Sequence, residues 1–384
     1  MANTLTGLIP DAVAALDVVS RELVGLIPAV ARDASVERAA VGQNVNYHIT
    51  PSNATQNITP AVTPPDTGDQ IIGYGQLTIN KSKMAPFRWN GEEQRGINYR
   101  GIGTLTIQQD QIAQAMRALV NEVEADLAAT HVHFSRAYGT AGTTPFASDL
   151  SDTANIRKIL DDNGAPMSDR HLIINTTAGA KVRTLTQLTK ANEAADSTLL
   201  RQGTLLDVHG MQMRESAQIA TSTKGTAASA TTNNAGYSVG DTNITLASAG
   251  TGTIVAGDVI TINGDTNQYV VETGIADVSA GGTIVLAKPG LRQAIPTSTK
   301  AITVLNNAAR NMAFSRNAVL LAARLPALPE GGDMASDRTT ITDPRSGLSF
   351  ELAMYPGYRQ MLYQVGLSWG VKVVKPEHTA LLLG

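Results

Sequence analysis

The chain has 384 residues, with 42% hydrophobic and 16% charged side chains, a net charge of −3 and a pI near 6.1. That apolar content can bury the cores of two or three domains, and the charge balance gives no global pull toward nucleic acid or an anionic membrane. The absence of cysteine excludes disulfides, thiolate metal sites and cysteine nucleophiles.

The opening stretch, Met1–Val13, lacks a basic region followed by an apolar one, which speaks against a secretory signal. No uninterrupted apolar run reaches a membrane span, so a soluble protein of the cytoplasm in which it is made is expected. Residues 10–32 read as a helix. Pro10 and Asp11 open it, and Val13, Leu16, Val19, Leu23 and Ile27 recur on one side until Pro28. Its charges through Ala40, three positive against five negative, disfavour a nucleic-acid-binding arm and fit a helix docked on a partner subunit or on the chain's own body.

Alternation at Val45, Tyr47 and Ile49 predicts a strand ended by Pro51. Residues 50–69 hold several prolines and many Thr, Asn and Asp without periodicity, an extended excursion. Its Asn53-Ala54-Thr55 and Asn57-Ile58-Thr59 match the glycosylation pattern and, without a secretory signal, read as accidental. The chain returns as a strand over Ile71–Ile79. The whole of 50–105 is expected to form a long two-stranded flap with little core of its own, and such a ribbon must lie on something, a neighbouring chain above all.

Thr106–Tyr138 carries the longest helical pattern. Ile112, Met116, Leu119, Val123, Leu127, Phe134 and Tyr138 form one stripe, and Gln108, Gln109, Gln111, Gln114, Arg117, Asn121, Glu124 and Arg136 face the other way. Gly139 is the expected C-cap. A rod of roughly 45 Å results, which cannot bury its stripe alone.

An α/β stretch follows. Ser151 or Asp152 caps a helix bearing Ile156, Ile159 and Leu160, which stops at Asn163-Gly164-Ala165-Pro166. His171–Asn175 is a buried strand, Thr177 starts another helix, and Thr204–Arg214 gives strand pieces. Residues 221–303 then turn Thr-, Gly- and Ala-rich, with only two aromatics, Tyr237 and Tyr269. Alternating runs at Asn243–Ala247, Val259–Asn263, Gln268–Thr273, Thr283–Ala287 and Ala301–Val304, separated by turn signals, predict a small all-β barrel or sandwich inserted into the α/β unit. Ile244, Leu246, Val259, Ile262, Val270, Ile284, Leu286 and Ile302 are its expected core. Helical periodicity resumes at Asn317–Leu325, a loop covers 326–346, and alternation from Phe350 to Val373 predicts antiparallel strands as partners for the long helix.

Candidates for chemistry are few. His131 and His133, two apart on a helix, point to different faces, which makes joint metal ligation awkward. His171 and His209 read as hydrogen-bonded structural residues. Gly264-Asp265-Thr266-Asn267-Gln268 lacks the ligand spacing of a calcium loop and reads as a turn. Lys81 and Lys83 read as a solvated stretch of flap able to meet acidic groups of a neighbour. No nucleophile, zinc or phosphate-loop motif is present, so no catalytic, cofactor-binding or metal-binding residue is assigned, and the chain is not expected to be an enzyme.

The order of parts resembles the major capsid protein of tailed bacteriophages, the HK97 fold, and is similar in particular to the phage P22 coat protein family with its inserted β-barrel domain. Leu105–Tyr138, Asp152–Asn175, the insertion near 221–303 and the run Trp369–Glu377 carry the resemblance. It implies an α+β fold with residues 1–44 as N-terminal arm, 45–105 as strand and extended E-loop, and 106–138 as the spine helix of the P-domain. It further implies an A-domain in two parts, 139–220 and 304–346, around the inserted barrel at 221–303, and P-domain terminal strands at 347–384. The implied function is self-assembly into pentamers and hexamers of an icosahedral head around double-stranded DNA contacted non-specifically, without a cofactor or a membrane. Scaffolding, portal and decoration proteins are the implied partners, and the virion the implied location, with assembly in the host cytoplasm. An encapsulin-type compartment shell and a secreted adhesive β-protein are the alternatives.

Overall fold

The computed structural model describes residues 23–51, 53, 55–60, 62–63, 68–99, 104–189, 205, 207–344 and 346–384. Most of the helix expected over 10–32 lies outside them. What is described of it is not a helix beyond a 3-10 turn at Ile27–Ala29, and the chain continues as strand β1 (Ala31–Ala39). The turn is held by Glu124, whose carboxylate accepts the backbone N–H groups of Gly25 and Leu26 at 2.7 Å and of Ile27 at 3.0 Å. Glu124 therefore leaves the polar face assigned to it and is buried, because three amides at the start of a turn need an acceptor that water cannot supply there.

The next strands are β2 (Asn44–Ile49), β3 (Gly73–Thr78) and β4 (Lys81–Asn90), followed by a short helix, Gly91–Tyr99. Only β2 and β3 form the expected two-stranded ribbon. β4 joins the main sheet instead, so the flap ends well before residue 105.

The long helix spans Thr104–Ala129. Ile112, Met116, Leu119, Val123 and Leu127 are buried as the stripe requires, and covering side chains of this size contributes on the order of 10 kcal/mol. The rod stops about two turns short of Tyr138. Thr130 Oγ1 bonds back to Leu127 O at 2.7 Å, residues 130–133 tighten into a 3-10 turn, and Arg136–Tyr138 become strand β5. Phe134 stays buried while the backbone around it has become extended, which is why the stripe misreports the helix end. Arg136 is likewise buried rather than solvated.

Helix Ser151–Asp162 precedes β6 (Arg170–Ile174), and helix Thr176–Val182 precedes the hairpin β7 (Asp207–Val208) and β8 (Met211–Glu215). Asn175, two residues before the expected start at Thr177, caps the second of these helices by accepting from Ala178 N. Asp152 instead accepts from Phe146 N, and no side chain caps the first. Then come β9 (Thr221–Ser222), β10 (Asn243–Leu246), β11 (Val259–Ile262), β12 (Gln268–Thr273), β13 (Gly282–Leu286), β14 (Ile302–Val304), β15 (Ala308–Ser315), β16 (Val319–Pro326), β17 (Asp337–Thr342), β18 (Ser349–Gly357), β19 (Gln360–Val373) and β20 (Thr379–Leu383).

Two of these correct the expectation. Val319–Pro326 is a strand where a helix was read, because an apolar run enclosed by β1 and β19 carries no period that separates the two. β17 occupies the stretch expected as loop, pairing with β18 over six residues.

β19 organises one sheet. β4 lies along one edge for ten residue pairs, and the other edge is taken first by β18 and then by β16. The long helix lies against this sheet, where both tryptophans reach it. Trp89 Nε1 donates to Gln111 Oε1 at 2.6 Å and Trp369 Nε1 to Asp126 Oδ2 at 2.7 Å. The second sheet runs through β5, β20, β15, β6 and β8. The last strand, β20, thus leaves the sheet of β18 and β19 and inserts between β5 and β15.

Residues 221–303 hold the five expected strands. Hydrogen bonding runs β10–β13–β12–β11–β14, and bridges from Thr231 to Ala301 and from Thr232 to Leu246 return the circuit to β10. All eight expected core positions are buried, but they divide. Ile244, Leu246, Ile262, Ile284, Leu286 and Ile302 share an interior with Tyr269. Val259 and Val270 turn outward into the core of the long helix and main sheet. β12 also pairs with β5 through Gln268 and Tyr269, so this stretch is stitched into the second sheet rather than hung on a linker.

Candidate functional site

The flap divides into an ordered root and an uncovered tip. In the ribbon, Val45 faces Leu77 and Tyr47 faces Gly75. A Cβ at Gly75 would sit 2.2 Å from the Tyr47 ring, so the ring fills the space a side chain would take. Lys372 Nζ lies 5.8 Å from that ring's centroid and donates to Gln76 O at 2.8 Å, tying the ribbon to β19. Gly370 lets the two backbones meet, since a Cβ there would fall 2.3 Å from Thr78 O. Below the root, Lys81 pairs with Asp126 at 2.7 Å and Lys83 with Glu122, both acids on the chain's own long helix. Both lysines lie on β4 against the chain's own helix instead of on the flap, with Lys83 still exposed and Lys81 half-buried.

Beyond this root the apolar side chains lose their cover. Ile58 is 98% exposed, Ile71 91% and Ile72 76%, and Val62, Ile49 and Tyr74 are exposed as well. Isolated exposed apolar residues are ordinary on a protein surface. A concentration of large ones in one segment of chain is the pattern of a contact surface.

The histidines do not converge. His131 and His133 lie in the 3-10 turn after the long helix. His131 Nδ1 is 3.1 Å from Ala128 O, and burial holds its pKa below the usual range. His133 Nδ1 sits 3.0 Å from Glu272 Oε1 on β12. His171 is buried, 3.1 Å from Asp169, with its pKa lowered chiefly by burial, and His209 Nδ1 lies 2.6 Å from Thr153 Oγ1. Among the described residues no three His, Asp or Glu side chains are grouped to hold a metal ion. The Gly264–Gln268 stretch is a turn in which Asp265 accepts from Asn267 N and from Tyr269 Oη.

Sequence reasoning missed Arg310. It is buried on β15, and none of its guanidinium nitrogens has a hydrogen-bond partner among the described residues; burial pushes its pKa down to about 10 against the pull of Asp258. Nothing in the pattern around it separates it from the apolar residues of the same strand. An open polar cleft of about 320 Å³ lies between the 139–152 loop, Gln268 and Leu383.

No protein-family profile and no curated protein matches the chain. Solved structures with a similar course of chain exist at low identity. The capsid of the cyanophage P-SCSP1u is 13% identical, with a TM-score of 0.48 over 92% of this chain and 86% of that one. A structure from Mycobacterium phage Che8 is 14% identical, with a TM-score of 0.43 over 90% and 85%. The virus-like particle from Pyrococcus furiosus is 10% identical, with a TM-score of 0.41 over 98% of both chains. Likenesses of this size leave the assignment to the chain's own architecture.

Proposed function

We propose that this chain is a major capsid protein of the tailed-phage type, a subunit that assembles with copies of itself into a closed shell. The observation that carries the reading is the flap, an ordered ribbon rooted on the main sheet whose outer half presents bare isoleucines. A lone subunit gains nothing from such an arm, whereas a neighbouring copy would cover it. The long helix laid on a sheet and the strand-rich unit inserted at 221–303 support the same reading. In it, 45–80 is the E-loop, the long helix is the spine, and the circuit from β10 to β14 is the inserted barrel. The shell would be an icosahedral head of pentamers and hexamers enclosing double-stranded DNA, with scaffolding and portal proteins as partners and the virion as its location. A net charge of −3 fits a wall that contains DNA without gripping it.

The test is electron microscopy of the purified protein and of a variant lacking residues 55–70. Closed shells from the intact chain are expected, against dispersed subunits of unchanged circular dichroism from the deletion. Normal shells from the deletion variant would overturn the role given to the flap. Shells formed in cells that hold a co-assembled enzyme in place of DNA would instead point to a cargo compartment.

A further inference from the structure

Three Asn-Gly pairs occur in the chain, at 90–91, 163–164 and 263–264. This dipeptide is the one most prone to a spontaneous reaction. The glycine amide nitrogen attacks the asparagine side-chain carbonyl carbon, a C–N bond forms and ammonia leaves. Water then opens the resulting five-membered imide to aspartate or isoaspartate. No oxidant or enzyme is needed, but the amide nitrogen must be free of a hydrogen bond and the side chain free to swing onto it.

The structure separates the three pairs on both counts. Gly91 N donates to Arg359 O at 3.2 Å, and Asn90 Oδ1 accepts from Glu93 N at 2.8 Å. Gly164 N donates to Asp161 O at 3.0 Å. Asn163 is held more firmly still: its Nδ2 donates to Ser135 Oγ and Glu377 O, and its Oδ1 accepts from Arg136 Nη2. Asn263 has none of these restraints. Its side chain is exposed and makes no hydrogen bond among the described residues, and Gly264 N has no acceptor there either. The turn is closed around the pair by Asp265 N donating to Ile262 O at 2.9 Å, with Gly264 at φ +93°. The backbone bond of Asn263 N to Ala301 O and the side-chain bond of Gln293 Nε2 to Gly264 O hold the pair in place without occupying the reacting atoms.

We infer that Asn263 is a built-in deamidation site, the one Asn-Gly pair of the native fold that converts to aspartate and isoaspartate. The product adds a negative charge two residues from Asp265. An isoaspartate also inserts an extra backbone carbon into the turn that leads to Asn267, the hydrogen-bond partner of Arg136 at 2.8 Å.

The experiment ages the folded full-length protein at mildly alkaline pH and maps peptides by mass spectrometry, scoring replacement of NH₂ by OH and isoaspartate content. Conversion at Asn263 is expected to outpace that at Asn163 by on the order of a hundredfold, the factor expected when several hydrogen bonds must open first. In denaturant the three pairs should react at similar rates, and Asn263→Gln should remove the fast component while leaving the other two unchanged. Equal native rates at the three sites, or a native Asn263 as inert as Asn163, would overturn the inference.

Discussion

The flap and the inserted unit start from similar material. Both are rich in Thr and punctuated by turns, yet one encloses a core and the other does not. In the inserted unit each strand has partners on both sides, and the alternating Ile, Leu and Val point into one interior. In the flap two strands pair only with each other, so any apolar side chain beyond the root has nothing to pack against. Closure of the strand circuit, rather than composition, decides which of the two stretches encloses its apolar side chains.

The largest expected effect breaks or upholds that contrast directly. Ile284→Asp places an unpaired carboxylate in the inserted unit's interior, and a loss of about 4 kcal/mol or more is expected in urea denaturation. Ile71→Asp, at an equally apolar residue of the flap, should shift the same curve by no more than about 0.5 kcal/mol. Equal losses would mean that the flap tip is covered within the subunit.

A smaller effect concerns how separate the inserted unit is. Expressed alone, residues 221–304 should give a dispersed amide spectrum, since their own interior remains. They should melt below the same region of the whole protein, because Val259, Val270 and Ala287 are lifted out of the main core. A random-coil spectrum would show that closure is not sufficient without the body.

The smallest effect is set by pH. Burial lowers the pKa of His131 and His171 below the ordinary 6.5, so in acid the unfolded chain takes up protons that the folded one refuses. Their contribution to stability is complete above 6.5 and is lost as pH falls through the lowered values. A thermal melt series should show the midpoint declining in that window, and His171→Gln should flatten part of the decline. An unchanged slope in that variant would remove His171 from the account.

Period-two alternation located all five strands of the inserted unit: β10, β13 and β14 have one buried and one more exposed face, and in β11 and β12, which are buried on both, interspersed Thr and Gln kept the pattern. The same rule failed at Val319–Pro326, where both faces are buried and the apolar run loses its period. The stripe of the long helix gave its face correctly and its end wrongly, since Phe134 is buried whether the backbone is helical or extended. Glu124 and Arg136 were misplaced for a shared reason. Their partners, the amides of Gly25–Ile27 and the side chains of Asn163 and Asn267, are remote in sequence. The flap's exposed tip was legible from its lack of periodicity, but its root on Gly370 and Lys372 was not, because that contact joins Thr78 and Gln76 to residues remote in sequence, 296 positions apart for Lys372 and Gln76.

The ladder between β4 and β19 has a mechanical consequence. The flap enters the body at Lys81, the first residue of β4, and ten residue pairs bind that strand to β19 from there to Asn90. A pull on the flap directed along β4 loads all of those backbone hydrogen bonds together, in shear, instead of peeling them one at a time. Lys81 and Lys83, clamped to Asp126 and Glu122, stand where peeling would have to begin. The body thus meets tension arriving through its least folded part with its longest uninterrupted strand pairing, and the force passes into β19 and the helix it supports.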